Sequence, residues 1–354
     1  MSIEKWDVIV VGAGLSGLVC AQALHQSGLQ VCVLEKARGT GGRLSSKRLT
    51  VGESNISYDL GASLVQSSHD TFEDWLLQLE KEGALLPHLH NGQSAWVAPS
   101  RNSMLTRHLS RDLTVHFGQK VSGIKYENGV WTVSTQPQSN RPQPQPAVDD
   151  VPFAQAPHII FSAPAEQTLA LLPEHHSGRA WLNDVNSDPV FVSTFAVKWQ
   201  DDGLIARVKN TSSPAIGAIS MEHEKPQRDH QGFQLIKLQT SPEWSQAHID
   251  EPFDVIEAKL KSVLESHLGQ PLNEVASHTH RWLFGQYAQP IQNTKGYLSF
   301  NDGLHICGDY FDLSELGLER AFLSGRKLAQ YLLTNELDDR ALIEGVLEKS
   351  QVYS

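Results

Sequence analysis

The glycine-rich segment at residues 12–17, Gly-Ala-Gly-Leu-Ser-Gly, constrains the fold of this 354-residue chain more than any other feature. Residues 7–11 before it form a short run rich in valine and isoleucine, which is typical of a strand buried on both faces. Residues 15–26 carry apolar side chains at helical spacing, and residues 30–34 form a second apolar run. Strand, glycine turn, helix and strand together predict one right-handed βαβ unit.

Each glycine of this turn has a physical reason. Gly12 permits a tight turn, Gly14 lets backbone amides approach a pyrophosphate, and Gly17 lets the helix pack close to the strand. The positive end of the helix then points at the phosphates. Glu35 ends the second strand, where its carboxylate can accept hydrogen bonds from an adenosine ribose. This context predicts a dinucleotide site, and the alternative is a glycine turn without a ligand.

The remaining pattern predicts a chain that leaves the nucleotide-binding domain and later returns to it. Strands are predicted at residues 113–115, 121–126, 130–135, 158–161, 190–199, 215–221, 233–240, 278–287 and 303–307, and helices at 71–82, 166–172, 253–268 and 318–333. The Pro- and Gln-rich residues 136–150 predict a solvated loop on a hairpin.

We therefore expect an α/β fold with two domains. The first domain is discontinuous and comprises residues 1–64, 100–164 and 297–354. The second is an α+β substrate domain built on a mixed or antiparallel sheet, and it comprises residues 65–99 and 165–296.

Composition narrows the classes of partner. The formal net charge of −11 argues against nucleic acid and against an anionic membrane surface, so phosphates must be held locally by backbone amides. The cysteines Cys20, Cys32 and Cys307 form no Cys-x-x-Cys pair, and we expect them to be buried and free of disulfides. No segment has the pattern of a signal peptide or a membrane span, and we expect a cytoplasmic protein.

Three later segments bear on whether the dinucleotide is FAD or NAD(P). Residues 38–43 (Arg-Gly-Thr-Gly-Gly-Arg), residues 58–62 (Tyr-Asp-Leu-Gly-Ala) and the pair Gly308-Asp309 resemble three motifs of the flavin amine oxidase superfamily. The resemblance implies FAD in a Rossmann-type FAD-binding domain, within an architecture like that of amine oxidases and p-hydroxybenzoate hydroxylase. No cysteine stands where a thioether link to the flavin ring is expected, so we expect noncovalent FAD, with a link through a histidine left open. The chain has no second Gly-x-Gly-x-x-Gly, so a separate NAD(P)H domain is not expected.

Further segments resemble the renalase branch of that superfamily. They are residues 162–167 (Ser-Ala-Pro-Ala-Glu-Gln), 241–248 (Ser-Pro-Glu-Trp-Ser-Gln-Ala-His), 280–282 (His-Arg-Trp) and 321–325 (Ala-Phe-Leu-Ser-Gly). This resemblance implies oxidation of dihydronicotinamide isomers of NAD(P)H to NAD(P)+, with reoxidation of the reduced flavin by molecular oxygen to give hydrogen peroxide.

The motifs assign candidate residues to the cofactor and to the substrate. The residues assigned to FAD are Gly12, Gly14, Leu15, Ser16, Gly17, Glu35, Lys36, Arg38, Gly42, Arg43, Leu60, Gly61, Ala62, Val121, Ala163, Pro164, Gly308, Asp309, Glu319 and Arg320. The candidates for the substrate pocket are His280, Trp282 and Tyr287, of which His280 and Trp282 share one face of a predicted strand. The alternatives are a structural histidine at 280 and a core tryptophan at 282.

Two His-x-His pairs, at residues 88–90 and 278–280, lack the further ligands that a metal site needs, so no metal is expected. The chain also departs from the renalase pattern at Ser63, at Leu64 and at residues 310–317. Arg320 stands where a small residue is expected, and the sequence leaves open whether it faces phosphate, substrate or solvent. Two other functions therefore stay open: a flavin amine oxidase or dehydrogenase with another substrate, and an FAD-binding protein without turnover.

Overall fold

A computed structural model describes residues 3–90, 92–137, 151–198 and 202–335. In chain order the helices are α1 Leu15–Gln26, α2 Asp70–Lys81, α3 Ser103–Leu109, α4 Ala165–Leu171, α5 Arg179–Leu182, α6 Asp202–Lys209, α7 Pro242–Ala247, α8 Phe253–Leu268 and α9 Gly317–Asn335. Short 3-10 helices cover Gly42–Leu44 and Glu222–Glu224. Within the described ranges, no helix is both long and apolar enough to cross a bilayer.

The strands confirm most of the predicted positions within a few residues. They are β1 Glu4–Lys5, β2 Val8–Val11, β3 Val31–Glu35, β4 Ser46–Val51, β5 Ser54–Asp59, β6 Leu86–His90, β7 Gln93–Val97, β8 Thr114–Phe117, β9 Gln119–Glu127, β10 Val130–Pro137, β11 Val151–Ala156, β12 His158–Phe161, β13 Asp188–Lys198, β14 Ile216–Met221, β15 Phe233–Thr240, β16 Glu274–Gln286, β17 Leu298–Ser299 and β18 Leu304–Ile306. The hairpins β4–β5 and β6–β7 were not predicted, because their strands mix polar and apolar residues without a regular period.

The chain divides into two compact units. Unit 1 comprises Met1–Thr40, Leu109–Val185 and Pro290–Ser354, and unit 2 comprises Gly41–His108 and Asn186–Gln289. These boundaries differ from the predicted domain ranges, because compactness places residues 41–64 and 100–108 in unit 2 and residues 165–185 and 290–296 in unit 1. The predicted ranges concern which residues serve cofactor and substrate, and in that sense they stay a prediction.

Unit 1 is built on a six-stranded sheet in the order β17-β18-β12-β2-β3-β8. Five of these strands run parallel, and β17 pairs antiparallel with β18 at the edge. The strands β2, β3 and β12 are buried along their whole length, which explains their largely apolar sequences. The helices α1 and α9 pack closely, since a Cβ at Gly325 would lie 2.2 Å from the carbonyl oxygen of Ser16.

A second sheet of unit 1 has the order β1-β11-β10-β9. Its hairpin β9–β10 turns at Asn128 and Gly129, both with positive φ (52° and 80°), which confirms the predicted tight turn. The strand β10 extends to Pro137, so the predicted loop at residues 136–150 begins later than expected. Residues 138–150 lie outside the described ranges.

Unit 2 is built on an antiparallel sheet in the order β14-β15-β13-β16, which confirms the type of sheet predicted for the second domain. The helix α8 covers one face of this sheet with Ile256, Leu260 and Leu264. A second apolar cluster joins Leu49, Ile56 and Tyr58 of the β4–β5 hairpin to Ala196 and Leu235 of the sheet.

Candidate functional site

In unit 1, the predicted nucleotide-binding residues gather at one edge of the six-stranded sheet. The parallel strands β2, β3, β12 and β18 end at Val11, Glu35, Phe161 and Ile306. Because these strands run the same way, the segments that follow them meet at the carboxyl edge, where α/β proteins bind their ligands. Gly12–Gly17, Lys36, Ala163 and Gly308 all lie in those segments.

The glycine turn between β2 and α1 is packed as tightly as its sequence predicts. Gly12 has a φ of 110°, and a Cβ there would lie 2.8 Å from Ser162 Oγ. A Cβ at Gly17 would lie 2.4 Å from the Gly12 carbonyl oxygen and 2.3 Å from Ser162 Oγ. Ser162 donates a hydrogen bond to the Gly12 carbonyl (3.0 Å). The side chain of Ser162 therefore fixes the turn, and Gly17 allows the close helix–strand approach.

Gly14 differs from its two neighbouring glycines. No described protein atom lies within 4 Å of a Cβ built at Gly14, and the φ of this residue is −80°, which any amino acid can adopt. Protein packing and backbone conformation therefore give no reason for a glycine here. Open space directly before the N-terminus of α1 is what a diphosphate would require, so this turn fits a dinucleotide.

Glu35 lies 8% exposed at the end of β3, and its two oxygens brace the turn. Oε2 accepts a hydrogen bond from the Ala13 amide and Oε1 accepts one from the Ala37 amide, both at 2.8 Å. Each carboxylate oxygen can accept a second bond, so the predicted ribose contact is compatible with this arrangement.

The Gly308-Asp309 pair is held by α9. Ser324 accepts a hydrogen bond from the Gly308 amide (2.9 Å) and donates one to the Gly296 carbonyl. Asp309 is 7% exposed and Arg320 is 8% exposed. Arg320 therefore does not face solvent, which removes one of the three environments that the sequence leaves open for it.

The other residues assigned to FAD in unit 1 occupy varied environments. Lys36 donates a hydrogen bond to Gln167 (2.9 Å), and Glu319 is fully buried and accepts one from Ser314 (2.7 Å). Arg38 is exposed. Buried or half-buried are Leu15, Ser16, Val121, Ala163 and Pro164. Their contact with a cofactor stays a prediction.

The cysteines also lie in unit 1. Cys20, Cys32 and Cys307 are buried and free, as expected. Burial raises the pKa of the Cys32 and Cys307 thiols to about 12, so both are protonated and unreactive at neutral pH.

In unit 2, two of the predicted cofactor segments pack directly against each other. A Cβ at Gly61 would lie 1.7 Å from the Arg43 carbonyl oxygen, so only glycine fits. The Ala62 amide donates a hydrogen bond to the same carbonyl (2.8 Å). Gly42, with a φ of 51°, begins the 3-10 helix that carries Arg43. The structure therefore brings the segments at 41–43 and 60–62 into contact. The sequence assigned each segment to the cofactor by its own motif.

Side chains from three other parts of unit 2 bind the carbonyl oxygens of residues 60–63. Trp282 Nε1 donates to the Leu60 carbonyl (3.3 Å), and Lys237 Nζ donates to that of Gly61. Asn102 Nδ2 lies 3.0 Å from the carbonyl oxygens of both Ala62 and Ser63. Four consecutive carbonyls are thus fixed, so the position of this segment depends on distant parts of the sequence.

The three substrate candidates lie close to these segments. Trp282 is half-buried, packs against the β4–β5 cluster and meets the His280 ring edge-on, with centroids 4.6 Å apart. Tyr287 is 3% exposed, and the Arg43 guanidinium lies 5.6 Å from its ring centroid. Arg281 points the other way, over Phe253, as strand alternation predicts. Trp282 therefore combines a core contact with a hydrogen bond to the Leu60 segment.

His278 forms a polar connection on the same strand face. Its Nδ1 lies 2.7 Å from the hydroxyl of the fully buried Tyr58, and its Nε2 contacts Nζ of the exposed Lys47. Burial, and then the charge of Lys47, lower the pKa of His278 to about 4. Burial likewise lowers the pKa of His280 to about 4, with smaller contributions from His278 and Lys47. Both imidazoles are therefore neutral at pH 7.

A buried ionic cluster lies beside the 60–63 segment. Asp59 is fully buried and accepts hydrogen bonds from Lys225 (2.9 Å), Arg228 (2.7 Å) and the Asn102 amide (2.6 Å). Glu222 accepts from the Asp59 amide (2.9 Å) and from Lys225. Burial alone would raise the pKa of Asp59, but the two cations lower it below its ordinary value. Asp59 is therefore charged and joins its own segment to Asn102 and to residues 222–228.

Lys237 is one of the members of this region that sequence reasoning missed, together with Asn102, Glu222, Lys225 and Arg228. It is 1% exposed, and burial lowers its pKa to about 8. Its second hydrogen bond runs to Ser63 Oγ (2.9 Å), and Ser63 in turn contacts Ser220 Oγ (2.9 Å). Ser63, one of the positions at which the chain departs from the renalase pattern, is thus hydrogen-bonded to Lys237. A lysine inside the apolar run of β15 was the signal available in the sequence.

The described part of the chain holds no group of three or more His, Cys, Asp or Glu residues placed to hold a metal ion. Both ring nitrogens of His278 already contact Tyr58 and Lys47. Two features thus define the class of fold and site. Unit 1 has a parallel sheet with a glycine turn that fits a dinucleotide, and unit 2 has an antiparallel sheet with clustered aromatic and cationic residues.

Comparison with known proteins agrees with this class. Residues 10–79 match the family model of NAD(P)-binding Rossmann-like domains. Over 80 residues the chain is 43% identical to amine oxidase [flavin-containing] B of Rattus norvegicus, which covers 22% of this chain and 14% of that protein. The match to this curated relative is therefore confined to a small part of its length.

Solved structures extend the likeness to nearly the whole chain. A putative protoporphyrinogen oxidase from Exiguobacterium superposes with a TM-score of 0.68 at 12% identity, covering 94% of this chain and 99% of that one. Wild-type putrescine oxidase bound to putrescine superposes with a TM-score of 0.67 at 12% identity, with coverages of 94% and 100%. The protein has the fold of these oxidases, which confirms the predicted fold class.

Proposed function

We propose that this protein is an FAD-dependent oxidoreductase that oxidises dihydronicotinamide isomers of NAD(P)H, with oxygen as electron acceptor and hydrogen peroxide as product. The cofactor assignment depends on the open space at Gly14. Protein packing requires a glycine at Gly12 and at Gly17, on either side of it, but not at Gly14. A turn built this way leaves amides and a helix N-terminus for a diphosphate. The Arg43–Gly61 packing supports FAD, because the superfamily motifs at both positions converge.

FAD, when bound, supplies the acceptor for the hydride and passes the electrons to oxygen. The residues of this chain do the binding and the orientation. In unit 1, Gly12–Gly17 and Glu35 would hold the adenosine diphosphate part, and the motif resemblance alone assigns the segments at 41–43 and 60–62 to the same cofactor. Trp282 and Tyr287 would orient the donor through their rings, and Arg43 keeps Tyr287 in place.

Direct hydride transfer needs no side-chain base, and the state of the histidines agrees with this. His278 and His280 are neutral at pH 7, because burial lowers their pKa values to about 4. We propose that His280 orients the donor by hydrogen bonding and neither accepts nor gives up a proton during the reaction.

Charge favours an anionic donor over an amine. Three cationic side chains lie beside the candidate residues or the segment that they contact: Arg43 lies against Tyr287, Lys47 contacts His278, and Lys237 contacts Gly61. The nearby carboxylates of Asp59 and Glu222 are already paired with Lys225 and Arg228. The positive charge of these three side chains would repel a protonated amine and attract the negative phosphates of a nicotinamide dinucleotide.

Amine oxidation is the second candidate. It is favoured by the 43% identity to an amine oxidase over 80 residues and by the fold shared with putrescine oxidase. That identity is confined to a short part of the chain, so it supports the cofactor more than the substrate.

An anaerobic flavin-bleaching assay distinguishes the two. The purified protein is mixed with borohydride-treated NAD(P)+, which contains the abnormal dihydro isomers, and separately with ordinary NAD(P)H and simple amines. We expect rapid bleaching by the isomers alone, with colour and hydrogen peroxide returning on admission of air. Bleaching by an amine alone would contradict the proposal and support the second candidate, and no bleaching by any donor would indicate a protein without turnover.

Trp282→Phe and Trp244→Phe form a matched pair for the same assay. Trp282 donates to the Leu60 carbonyl, whereas Trp244 packs against Phe191 and His248 elsewhere in unit 2. We expect Trp282→Phe to slow bleaching by the isomers at least ten-fold and Trp244→Phe to leave the rate unchanged. Equal bleaching rates in the two variants would show that Trp282 is not part of the substrate site.

A further inference from the structure

Five charged side chains lie buried together in unit 2, in the ionic cluster beside the 60–63 segment and next to it. They are Asp59, Glu222, Lys225, Arg228 and Lys237, and each is at most 8% exposed. Two of them are carboxylates and three are cations, so the group carries one excess positive charge at neutral pH. A charge that is buried without a counter-charge is costly, and its presence in a folded protein calls for a physical reason.

The excess charge belongs to Lys237. The other four members form ion pairs with one another, at nitrogen–oxygen distances of 2.5 to 2.9 Å. Among the residues that the structure describes, no carboxylate lies within ion-pair distance of Lys237. Its ammonium group donates instead to two neutral acceptors, the Gly61 carbonyl and the Ser63 hydroxyl.

This ammonium group contacts the segment at 60–62, which the motif resemblance assigns to the cofactor. The strand register places Lys237 on the sheet face that also carries the substrate candidates. Lys237 of β15 lies opposite Thr194 of β13, which in turn lies opposite His278 of β16. Residues directly opposite each other on neighbouring strands share one face, and His280 and Trp282 follow His278 on that face. Lys237 therefore faces the region of unit 2 that serves the proposed chemistry.

The charge of a flavin changes when it is reduced. A hydride is one hydrogen nucleus with two electrons, so a flavin that accepts a hydride gains one negative charge. A nearby ammonium group stabilises that charge by Coulomb attraction, and it does so more strongly where water is excluded. Lys237 is 1% exposed and has no counter-ion among the described residues, so little screens its positive charge.

We propose that Lys237 raises the reduction potential of the bound flavin and thereby favours hydride transfer from the donor. The donor loses one hydrogen nucleus and two electrons and the flavin gains them, while Lys237 touches neither reacting atom and acts through its charge. This inference rests on the FAD of the proposed function, but it does not depend on which compound donates the hydride.

The same charge can be removed by raising the pH. Burial lowers the pKa of Lys237 to about 8, with Glu222 and Asp59 raising it and Lys225 and Arg228 lowering it. The adjoining strands β13 and β14 place only hydroxyl side chains opposite Lys237. A negative charge on the flavin raises the pKa of a neighbouring ammonium group. Above about pH 8, reduction of the flavin should therefore return one proton to Lys237, in addition to the nucleus of the hydride.

The first measurement is the midpoint potential of the FAD-loaded protein, obtained by spectroelectrochemical titration with mediator dyes and without any donor. Lys237→Met removes the charge and keeps the length of the side chain. Ser63→Ala, the matched control, removes one hydrogen-bond partner of Lys237 but leaves its charge. We expect Lys237→Met to lower the equilibrium constant for two-electron reduction at least ten-fold, a fall of about 30 mV, and Ser63→Ala to leave it near the wild-type value.

The second measurement is the midpoint potential of the wild-type protein against pH, which holds even if Lys237→Met does not fold. Below about pH 8 reduction takes up one hydrogen nucleus for two electrons, and above it two, so the slope of potential against pH should double. In Lys237→Met the slope should stay the same throughout. Lys259→Met, at an exposed pair with Glu251, should behave as wild type does.

Two results would overturn the inference: equal potentials in Lys237→Met and wild type, or an equal fall in Lys237→Met and Ser63→Ala. A wild-type slope that does not change with pH would also contradict it. Any of these results in a protein that the dihydro isomers bleach would leave the proposed function standing. A lower potential in Lys237→Met alone, in a protein that no dihydronicotinamide bleaches, would support the inference and contradict the proposed donor. A protein that binds no FAD would overturn both.

Discussion

The glycine turn of unit 1 and the buried ionic cluster of unit 2 are built in opposite ways. The turn is shaped by backbone conformation and by the absence of side chains, as at Gly12 and Gly17. The cluster is shaped by long charged side chains, in which Lys225 and Arg228 bind Asp59 at 2.9 and 2.7 Å.

The two regions contribute different free energies: the turn contributes to ligand binding, and the cluster contributes to the stability of unit 2. A backbone site is continuous in sequence and needs few partners, because one strand and one helix fix it. A side-chain site is assembled from segments far apart in the chain, and each member is costly to bury without the others. The cluster should therefore dominate the stability of unit 2, while the open part of the turn should affect ligand affinity alone.

Asp59→Ala should have the largest effect on stability. It leaves Lys225 and Arg228 buried without a common carboxylate, and we expect the free energy of unfolding to fall by roughly 3–5 kcal/mol. Urea denaturation followed by tryptophan fluorescence measures this change. The control is Glu274→Ala, which breaks the partly exposed pair with Lys261 and should cost less than about 1 kcal/mol. Similar losses of unfolding free energy in both variants would contradict the prediction that the cluster dominates the stability of unit 2.

Lys237→Met should alter how stability depends on pH. The folded-state pKa of Lys237 is about 8, below the ordinary 10.5, so between these values the unfolded chain binds the proton and the folded chain does not. Wild type therefore gains stability as pH rises from 8 to 10.5, by up to about 3 kcal/mol. Lys237→Met should lose this rise, and Lys259→Met, at an exposed pair with Glu251, should keep it. A rise of the same size in Lys237→Met would assign it to other groups.

Two glycine substitutions separate packing from ligand binding. Gly61→Ala places a Cβ 1.7 Å from the Arg43 carbonyl, and we expect it to cost about 2 kcal/mol or more. Gly14→Ala meets no described protein atom and should change stability by less than about 1 kcal/mol, while lowering flavin affinity at least ten-fold. Flavin content after gel filtration and urea denaturation give both quantities. Unchanged flavin affinity in Gly14→Ala would refute a ligand at that position.

A smaller pH effect than that of Lys237 is expected at His278, because its side chain is only half-buried. Its folded-state pKa is about 4, below the ordinary 6.5, so the unfolded chain binds more protons between these values. Stability should therefore fall as pH drops from 6.5 to 4, and His278→Gln should weaken that decline. Thermal unfolding across this pH range measures it. His69→Gln, at the exposed cap of α2, is the control and should leave the decline as in wild type.

The two regions also differ in how far the sequence predicted them. The βαβ unit, the hairpin turn at Asn128 and Gly129, and the antiparallel sheet of unit 2 follow from periodicity and from glycine positions, which are local signals. The packing of Gly17 against Ser162 confirms the physical reason given for that glycine.

The cluster around Asp59 could not be predicted in the same way. Asp59, Asn102 and the pair Glu222 and Arg228 come from three segments, and only the fold brings them together. Nothing in the local pattern of residues 222–228 marks them as buried. Lys237 alone gave a local signal, because it interrupts an apolar strand. The hairpins β4–β5 and β6–β7 were missed because their strands alternate irregularly.

Detection of FAD in the purified protein tests the dinucleotide site most directly. The purified protein should show the visible absorption of an oxidised flavin, and denaturation should release FAD, identified by its mass, in a ratio close to one per chain. Release without proteolysis would also establish that the flavin is noncovalent. A colourless protein that takes up no FAD on titration would contradict the dinucleotide site at residues 12–17 and, with it, the proposed function.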